Sequence, residues 1–594
     1  MVPGQPRTKG LHIHLRDQCG LCGVLLIPGD YFVVLYAGRD QTLAGYVAFP
    51  NYLHYPEQCS KVFFCRQPIS RKCADRRESA TLHTDCYNLY MQHAKSPDKA
   101  SRLYTFASWN HPWPKCAPLL LSPLPFNLER ASHLAAQVCS IPGLTTLPPE
   151  VSQMIWDWAT PTVLLRFCAV LDAVDFLDHA PSHSRAFMPL ATIHHWERGS
   201  FPVDFKAPDD SDFRITIDSR GIRRIDRLET GQPNPVQRKG SDIVYAIAKA
   251  SQPIRVLFHL GLARLALDNT QLQLWDIPTP LQLPEIHALD MVPGAASLLP
   301  SARIATIDLE TCTGITFFVC GGHVSGMHAH TSFAPSAQDT FHRFSAFFKA
   351  SYVWVYVPLP RADAITAFGV LYRSSGQRPA EPCYLIRTKL AGDLTIGTLA
   401  ENHEVELVPY PVTPQSVLVH TVPDRPTNTS DVILLGAHPT TEEQGQFLPI
   451  ISTHLPLSGA AYSTAVLENV ACVWVFRDRF KTALLRGLLV EYNNGAQRAL
   501  GDCRLHVAPT EKCSELECLA FASTTVNGGA GTTVKAVKVV VLPSSSDAAD
   551  GLDETWTRCS EGNTLEIWVT ERELVLDLTT ADGEDSEGSE DSED

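Results

Sequence analysis

The feature that most constrains this chain is a concentration of cysteine near its start. Six of the 17 cysteines fall within the first 86 of its 594 residues. The polar opening segment lacks the pattern of a secretory signal, so we expect a reducing compartment, where disulfides do not persist. Metal ligation is then the natural reason for the clustering. The other cysteines are scattered, as small buried core residues are.

Two short motifs near this end supply a complete ligand set. Cys19-Gly-Leu-Cys22 places two thiols in a tight turn, and His83-Thr-Asp-Cys86 places an imidazole and a thiol on one face of a predicted helix. Cys-x-x-Cys is also the spacing of a redox dithiol, but the second pair favours metal. Cys19, Cys22, His83 and Cys86 therefore predict a closed structural zinc site, against the alternative of unrelated buried thiols.

Three further cysteines lie between the two motifs. Cys59, Cys65 and Cys73 would form a second metal site together with His54 or His93, although their spacing is not a standard one. We therefore treat these cysteines as optional ligands and base no function on them.

Composition disfavours several classes of protein. A net charge of −15 argues against a nucleic-acid binder and against a binder of anionic membranes. No apolar run reaches the roughly 18 residues that a membrane span needs. We therefore expect a soluble protein of the cytoplasm or nucleus, with enough apolar material, 44% of residues, for several cores.

Hydrophobic periodicity divides the chain into segments. Apolar residues three or four apart over 147–174 predict short amphipathic helices. Strand-like runs bounded by glycine or proline dominate from about residue 212 onward. We predict a multidomain α+β protein with a Cys/His zinc-binding module over 11–100, a connector over 101–142, a helical segment over 143–190, a β-rich domain or domains over 205–578, and a disordered acidic tail over 579–594.

The β-rich region contains a weak internal repeat. Gly314–Gly322, Gly369–Gly376 and Gly487–Gly495 each join a glycine, an apolar strand and a glycine turn, and strands carrying Trp354 and Trp474 precede the second and third copies. Such repeats predict stacked sheets of a prism, propeller or sandwich. If the tryptophans are exposed, they favour a lectin-like, carbohydrate-binding protein, which is the first alternative function.

His328-Ala-His330 is the remaining motif with chemical potential. It is either a metal pair or a polar strand edge, and no carboxylate partner is evident nearby. The sequence has no nucleophile elbow, no His-Glu-x-x-His, no phosphate loop and no dinucleotide fingerprint. We therefore do not expect an enzyme, and an enzyme with a site assembled near these histidines is the second alternative.

A segment of about forty residues resembles a known family. Leu147-Pro-Pro-Glu opens it, an apolar helix with Ile155 follows, and a second helix begins with Leu164-Leu-Arg. This arrangement over 143–177 resembles the F-box family. The sequence departs from the family at the end of the motif, where Ala173-Val-Asp-Phe stands in place of the usual basic residue and tryptophan.

The F-box resemblance implies a set of partners. It implies a Skp-type adaptor of a ubiquitin ligase, bound through an apolar helical face that carries Leu147, Pro148, Val151, Met154, Ile155 and Leu164. The β-rich region would then recognise a client protein that the sequence does not name, and the zinc module would brace that region. The function expected from this resemblance is that of a non-enzymatic interaction protein.

The order of segments is similar to that of a group of filamentous-fungal proteins. These pair an N-terminal Cys/His motif with an F-box-like segment and a long β-rich C-terminal region. Arg214-Ile-Thr-Ile-Asp218, the following Ser219–Ile225 stretch and Gly314-Ile-Thr-Phe-Phe318 carry this similarity. The similarity implies an architecture and does not imply an activity.

Overall fold

A computed structural model describes most of the chain. The described residues are 11–36, 42–50, 58–59, 62–66, 78–114, 116, 119–121, 128–159, 162–181, 185–204, 211–228, 243–267, 272–281, 303–344, 349–373, 382–397, 405–423, 432, 434–438, 456–478, 481, 483–516, 519–529, 532–541 and 555–580. The chain divides into two compact units, Met1–Pro280 and Leu281–Asp594. Of the acidic tail predicted over 579–594, residues 581–594 lie outside the described residues, while Thr579 and Thr580 belong to the last strand.

The first unit combines short strands with five helices among its described residues. In chain order these are β1 (Leu11–His14), β2 (Tyr31–Tyr36), β3 (Thr42–Ala48), β4 (Gln58–Cys59), β5 (Val62–Cys65), β6 (Ser79–His83), α1 (Thr84–His93), α2 (Lys99–Ser108), α3 (Leu128–Cys139), α4 (Pro149–Ala159), α5 (Val163–His179), β7 (Ala186–Pro189), β8 (Ile193–Glu197), β9 (Val203–Asp204), β10 (Phe213–Asp218), β11 (Gly221–Arg227), β12 (Val244–Ala248), β13 (Arg255–His259), β14 (Leu262–Ala266) and β15 (Leu274–Trp275).

The N-terminal part of this unit is built on strand β2. Its aromatic and β-branched residues suit a strand that is covered on both faces, and Phe32 to Leu35 are all buried. β2 pairs antiparallel with β3 on one side and with β6 on the other. α1 begins directly after β6, so the last strand residue and the first helical turn share one corner. That corner positions the site described below.

The core of this part continues into distant segments. Leu103 and Phe106 of α2, Val174 and Leu177 of α5, and Leu262 of β14 belong to the same buried cluster as β2. The module predicted over 11–100 is thus covered by helices and a strand that follow it in sequence. Burial of these apolar side chains makes the main favourable contribution to the free energy that holds these segments together.

Buried charge joins the same segments. Glu78, just before β6, accepts two bonds of 2.5 Å from the guanidinium of Arg264 on β14 and one of 2.8 Å from Arg16. Both arginine side chains are almost fully buried. Although burial opposes ionisation, these two cations lower the pKa of Glu78. A half-buried carboxylate bonded to two nearly buried cations ties three segments together, because removing the carboxylate would leave the buried arginines without their counterion.

The rest of the first unit is a sheet and a helical group. Strands β15, β12, β10, β11, β8 and β9 are adjacent in that order, and β13 pairs with both β14 and β7. Along the chain, the first strand of this sheet is β8, which precedes residue 212, where the strand-like sequence pattern begins. Helix α3 contacts both α4 and α5, and Ala131, Ala135, Leu165 and Cys168 form a small core there. The helices expected over 147–174 are present as α4 and α5.

The second unit is almost entirely β-structure in its described residues. Its elements are β16 (Arg303–Asp308), β17 (Gly314–Cys320), β18 (His323–His330), α6 (Gln338–His342), β19 (Val353–Pro358), β20 (Ile365–Arg373), β21 (Pro382–Thr388), β22 (Gly392–Ile396), β23 (Val405–Pro411), β24 (Val417–Val422), β25 (Leu434–His438), β26 (Ala461–Val466), β27 (Val470–Arg477), β28 (Leu485–Tyr492), β29 (Gln497–Gly501), β30 (Thr510–Cys513), β31 (Leu519–Gly529), β32 (Thr532–Val541), β33 (Thr557–Arg558), β34 (Asn563–Val569) and β35 (Leu574–Thr580).

The strands of the second unit form several small antiparallel sheets. The orders are β25-β24-β16, β18-β17-β19, β22-β21-β20-β23, β29-β28-β27-β30, β26-β34-β35 and β32-β31-β33. The predicted mainly-β character is thus confirmed. The three repeat copies become β17, β20 and β28, each an inner strand of its sheet.

The strands that precede the repeat copies are not equivalent. β27, which carries Trp474, pairs with β28 as the repeat implies. β19, which carries Trp354, pairs with β17 and not with β20, because the chain returns from α6 to the free side of β17. The likeness of these segments therefore reflects a shared pattern of continuous apolar residues, which suits any inner strand that is covered on both faces.

Among the described residues, no helix is both long and apolar enough to cross a bilayer.

Candidate metal centre

The first pair of predicted ligands lies in a turn between β1 and β2. The backbone N–H of Cys19 donates to the carbonyl of Val24, and that of Gly23 donates back to the carbonyl of Cys19, both at 2.9 Å. Gly23 has φ of 72°, a left-handed conformation that glycine adopts without strain. The turn closes tightly enough to aim both thiols of the Cys-x-x-Cys pair the same way.

The second pair of ligands lies at the corner between β6 and α1. His83 is the last residue of β6 and pairs with Phe32 of β2, while Cys86 is in the first turn of α1. The backbone N–H of His83 donates to the sulfur of Cys19 at 3.4 Å. The strand register and the helix start thus bring two sequence-distant pairs to one place.

The four side chains meet at a single point. One ligand atom from each of Cys19, Cys22, His83 and Cys86 lies within 4.8 Å of all the others. His83 Nδ1 is 3.5 Å from Cys22 Sγ and 3.9 Å from Cys86 Sγ. A tetrahedral zinc ion with bonds of about 2.3 Å to sulfur and about 2.0 Å to nitrogen requires edges of about 3.5 Å between such atoms. The predicted clustering is confirmed, and the cluster can hold a metal ion.

The site is closed to solvent, since all four residues are buried. Burial opposes ionisation of Cys19, but contacts with the other two sulfurs and with His83 lower the pKa of its thiol well below the ordinary value. Burial raises the pKa of Cys22, and contact with the other two sulfurs raises that of Cys86. Three thiolates at this spacing repel one another in a low-dielectric interior, and a divalent cation removes that repulsion.

Asp30 is a member of the site that sequence reasoning missed. Its Oδ2 lies 3.4 Å from His83 Nε2, the ring nitrogen that faces away from the sulfurs, at an angle too poor for a hydrogen bond. The same oxygen accepts the backbone N–H of Ile27 at 2.9 Å. A carboxylate on the outer nitrogen of a metal-binding histidine orients the ring and raises its basicity. The only sequence signal is the Pro-Gly-Asp turn before β2.

Close packing also fixes the position of the Cys-x-x-Cys turn. A side chain at Gly20 would place its Cβ 2.6 Å from the Cβ of Ala107 on α2, and the N–H of Gly20 donates to the carbonyl of Thr81 on β6. The turn is thus held between a helix and a strand. Only glycine leaves room for that approach.

The suggested second metal site cannot be assembled from the described residues. Cys73 and His54 lie outside them, and only the backbone of Cys59 is described. Cys65 is half-buried on β5, and His93 is exposed at the end of α1. The optional ligands therefore stay a prediction.

The predicted adaptor-binding residues divide into two groups. Val151, Met154 and Ile155 lie on one face of α4 and are exposed. Pro148 is exposed as well. The other two, Leu147 and Leu164, are half-buried, and Leu164 packs against the small core between α3 and α5.

The histidine pair of the β-rich region is inward-facing and fully bonded. His328 Nδ1 contacts Thr340 Oγ1 at 2.9 Å, and its Nε2 contacts the carbonyl of Ala334 at 3.1 Å. His330 contacts Thr316 Oγ1 at 2.7 Å and the carbonyl of Pro335 at 2.8 Å. Burial lowers the pKa of His328 to about 4. All four ring nitrogens are used by the fold, so none is available as a ligand or base.

The two tryptophans differ in exposure. Trp354 is buried in an aromatic cluster with Phe318 and Phe344, so a sugar ring cannot stack on it. Trp474 is half-buried, with the ammonium of Lys512 5.1 Å from its ring centroid. One of the two aromatics on which a lectin-like function depended is thus part of a core.

Comparison with known proteins adds no relative. No protein-family model matches the chain, and no curated protein matches it significantly. The function is therefore inferred from the residues of this chain.

Proposed function

We propose that the chain is a non-enzymatic interaction protein, an F-box-type substrate adaptor of a ubiquitin ligase. In this proposal α4 contacts a Skp-type adaptor, and the β-rich region recognises a client protein. The Cys/His centre holds zinc and keeps the N-terminal part folded. The proposal is supported by one surface above all, the exposed apolar face of α4.

That face, here called the α4 face, consists of Val151, Met154 and Ile155. Their exposed fractions are 40%, 62% and 40%. Spacing of three and four residues places them side by side on one helical stripe. Single exposed apolar residues are ordinary, but a stripe of three large ones is typical of a helix that contacts a partner.

The surroundings of α4 add to the surface and hold it. Val163, at the start of α5, is another exposed apolar residue, with an exposed fraction of 51%. Helix α4 contacts α3, and Ala131 and Leu165 pack α3 against α5. The face is thus presented by packed helices, and a rigid helix loses little entropy when it binds.

The zinc ion has a structural role in this proposal. Three thiolates and one imidazole fill a tetrahedral shell, which leaves no position for a substrate. The ligands bridge the turn before β2 and the corner after β6, so the ion joins two segments more than sixty residues apart. Zinc is the metal that this soft, four-ligand, tetrahedral set suits best.

The test is affinity purification of the full chain with substitutions on the α4 face. Ile155→Asp places a charge in the apolar stripe and is expected to abolish recovery of a Skp-type adaptor. Gln137→Asp, at an exposed polar position of the neighbouring α3, is the matched control and is expected to retain it. Equal thermal unfolding of the two variants shows that the loss is one of contact.

Two results would contradict the proposal. The first is a wild-type chain that recovers no such adaptor. The second is an Ile155→Asp variant that recovers as much adaptor as the Gln137→Asp control. Reconstitution with purified adaptor protein distinguishes a direct contact from one through a third protein.

A further inference from the structure

A small cleft in the second unit has a polar lining that its own residues do not satisfy. Strands β19, β22, β26 and β29 surround it, and its volume is about 20 Å³. Its polar lining residues include Tyr356, Asp393, Thr395, Tyr462, Thr464 and Arg498. A space of this size takes one water molecule or the tip of one small polar group.

The cation of the cleft is Arg498 on β29. One terminal nitrogen donates to the backbone carbonyl of Asp393, but the buried Nε has no acceptor among the described residues. Burial lowers the pKa of this guanidinium, and the nearby Tyr492 and Asp393 oppose that shift only in part. A half-buried guanidinium with an unused donor favours an anionic partner.

The acids near the cleft are already engaged. The carboxylate of Asp393 accepts bonds of 2.5 Å and 2.7 Å from the guanidinium of Arg387, so that pair is neutral. Glu566 accepts the hydroxyl of Tyr462 and does not line the cleft. Within the described part of the chain, no acidic side chain bonds to Arg498. Arg498 is therefore the cation of the cleft, and the carboxylate of Asp393 in the same lining is neutralised by Arg387.

A second unused donor lies in the same lining. The hydroxyl of Thr395 is buried and has no hydrogen-bond partner among the described residues. Buried hydroxyls are normally bonded, because an unpaired one loses its hydrogen bonds to water and gains none in return. Two unpaired donors in one small cleft, one of them cationic, describe a place for an acceptor group.

We propose that this cleft binds one carboxylate group of a ligand, with Arg498 as its cation and Thr395 as a neutral donor. The single positive charge matches a monoanion, whereas a phosphate dianion requires more donors than the lining offers. The small volume admits the end of the ligand and leaves the rest outside. The site is independent of the α4 face.

The test is ligand-observed NMR on the full chain, with acetate as the probe and acetamide as its neutral counterpart. Saturation transfer to the acetate methyl group is expected to rise to a plateau with concentration, and acetamide is expected to give none above background. Inorganic phosphate at equal ionic strength is expected to compete at least tenfold more weakly than acetate. Binding of peptides with a free or an amidated C-terminus then shows whether the cleft takes a terminal carboxylate or an acidic side chain.

Substitutions connect the signal to the cleft. Arg498→Met keeps the length of the side chain but loses the charge, and it is expected to weaken acetate binding about 10- to 100-fold. Thr395→Val removes only the hydroxyl and is expected to weaken binding about threefold to tenfold. Arg498→Lys keeps the charge without the planar fork and is expected to be intermediate. Arg572→Met, at an exposed position of the same unit, is the matched control.

Each contrary outcome overturns the proposal. Equal signals from acetate and acetamide would show that the site does not select a charged ligand. Tighter binding of phosphate than of acetate would show that the site selects phosphate and not a carboxylate. Absence of any saturable acetate signal shows that the cleft takes only water. If Arg498→Met does not fold, as judged by its thermal unfolding, the Thr395→Val and Arg498→Lys variants decide the matter.

Discussion

The Cys/His centre and the His328/His330 pair contain the same kinds of residue and have opposite structural roles. At the centre, the contacts of His83 Nδ1 within the described part of the chain are with sulfur atoms, at 3.5 Å and 3.9 Å. In the pair, oxygen atoms of the protein contact every ring nitrogen at 2.7–3.1 Å. Both places are buried, so burial does not distinguish them.

The two places differ in the atoms that contact their ring nitrogens and sulfurs. Oxygen partners make the histidine pair a finished hydrogen-bond network, which specifies the packing of β18 against the segment after it. The sulfur atoms of the centre contact chiefly one another, which is unfavourable without a cation between them. Candidate metal ligands are therefore best judged by whether the fold itself satisfies their donor atoms.

The largest expected effect that tests this comparison comes from removing one sulfur. Cys22→Ser in the full chain is expected to reduce bound zinc from about one ion per chain to near zero, because structural zinc needs all four ligands. Metal analysis after gel filtration measures it. Hydrogen exchange is expected to show loss of protection in β2, β6 and α1, since metal binding and folding are coupled.

The matched control comes from the other side of the comparison. His330→Gln is expected to leave the zinc content unchanged. A wild-type chain without metal, or a loss of zinc in the His330→Gln variant, would show that the two places have been assigned the wrong roles.

The second effect concerns pH. The folded-state pKa of His328 is lowered from 6.5 to about 4, so the unfolded chain takes up the proton first as pH falls. Its contribution to stability is complete above about pH 6.5 and is lost as pH falls toward 4, by up to about 3 kcal/mol. Denaturant unfolding at several pH values measures the loss. His328→Gln is expected to flatten that part of the profile, and an unchanged slope would contradict the assignment.

The third effect tests whether packing as well as metal holds the Cys-x-x-Cys turn. Gly20→Ala forces a Cβ against Ala107 of α2 and is expected to destabilise the first unit by about 1–3 kcal/mol. Thermal unfolding with excess zinc measures this cost. Gly143→Ala is the control, since a Cβ there meets nothing within 4 Å. Equal melting of the two variants would show that the turn has room to move.

The smallest effect concerns Asp30. Asp30→Ala removes the carboxylate near His83 Nε2 and is expected to weaken zinc affinity about tenfold, at the low end of such effects because the contact is long. Competition with a chromogenic chelator measures it. Asp30→Asn, which keeps an acceptor oxygen, is expected to restore part of the affinity. If the wild-type, Asp30→Ala and Asp30→Asn chains bind zinc equally, Asp30 does not affect the metal site and its role is confined to its bond with the backbone of Ile27.

The ligand set could be predicted from the sequence because it depends on short spacings. A Cys-x-x-Cys turn and a His-x-x-Cys helix start each converge locally, whatever the rest of the chain does. Asp30 could not be predicted, because its approach to His83 depends on the register between β2 and β6. The burial of Trp354 depends likewise on the return of the chain to β17, and a strand pattern says nothing about which neighbour it takes.

The ion pairs of Glu78 have a consequence for folding during synthesis of the chain. Residue 264 is synthesised 186 residues after residue 78, so Glu78 and Arg16 can pair well before the guanidinium of Arg264 completes the bonds of Glu78. Until then the hydrophobic faces that α5 and β14 cover stay open to chaperones and proteases. A recombinant fragment that stops near residue 100 also lacks α5 and β14. Its metal content therefore reports on the partly synthesised chain and not on the folded first unit. Fragments intended to carry the zinc centre should extend through β14.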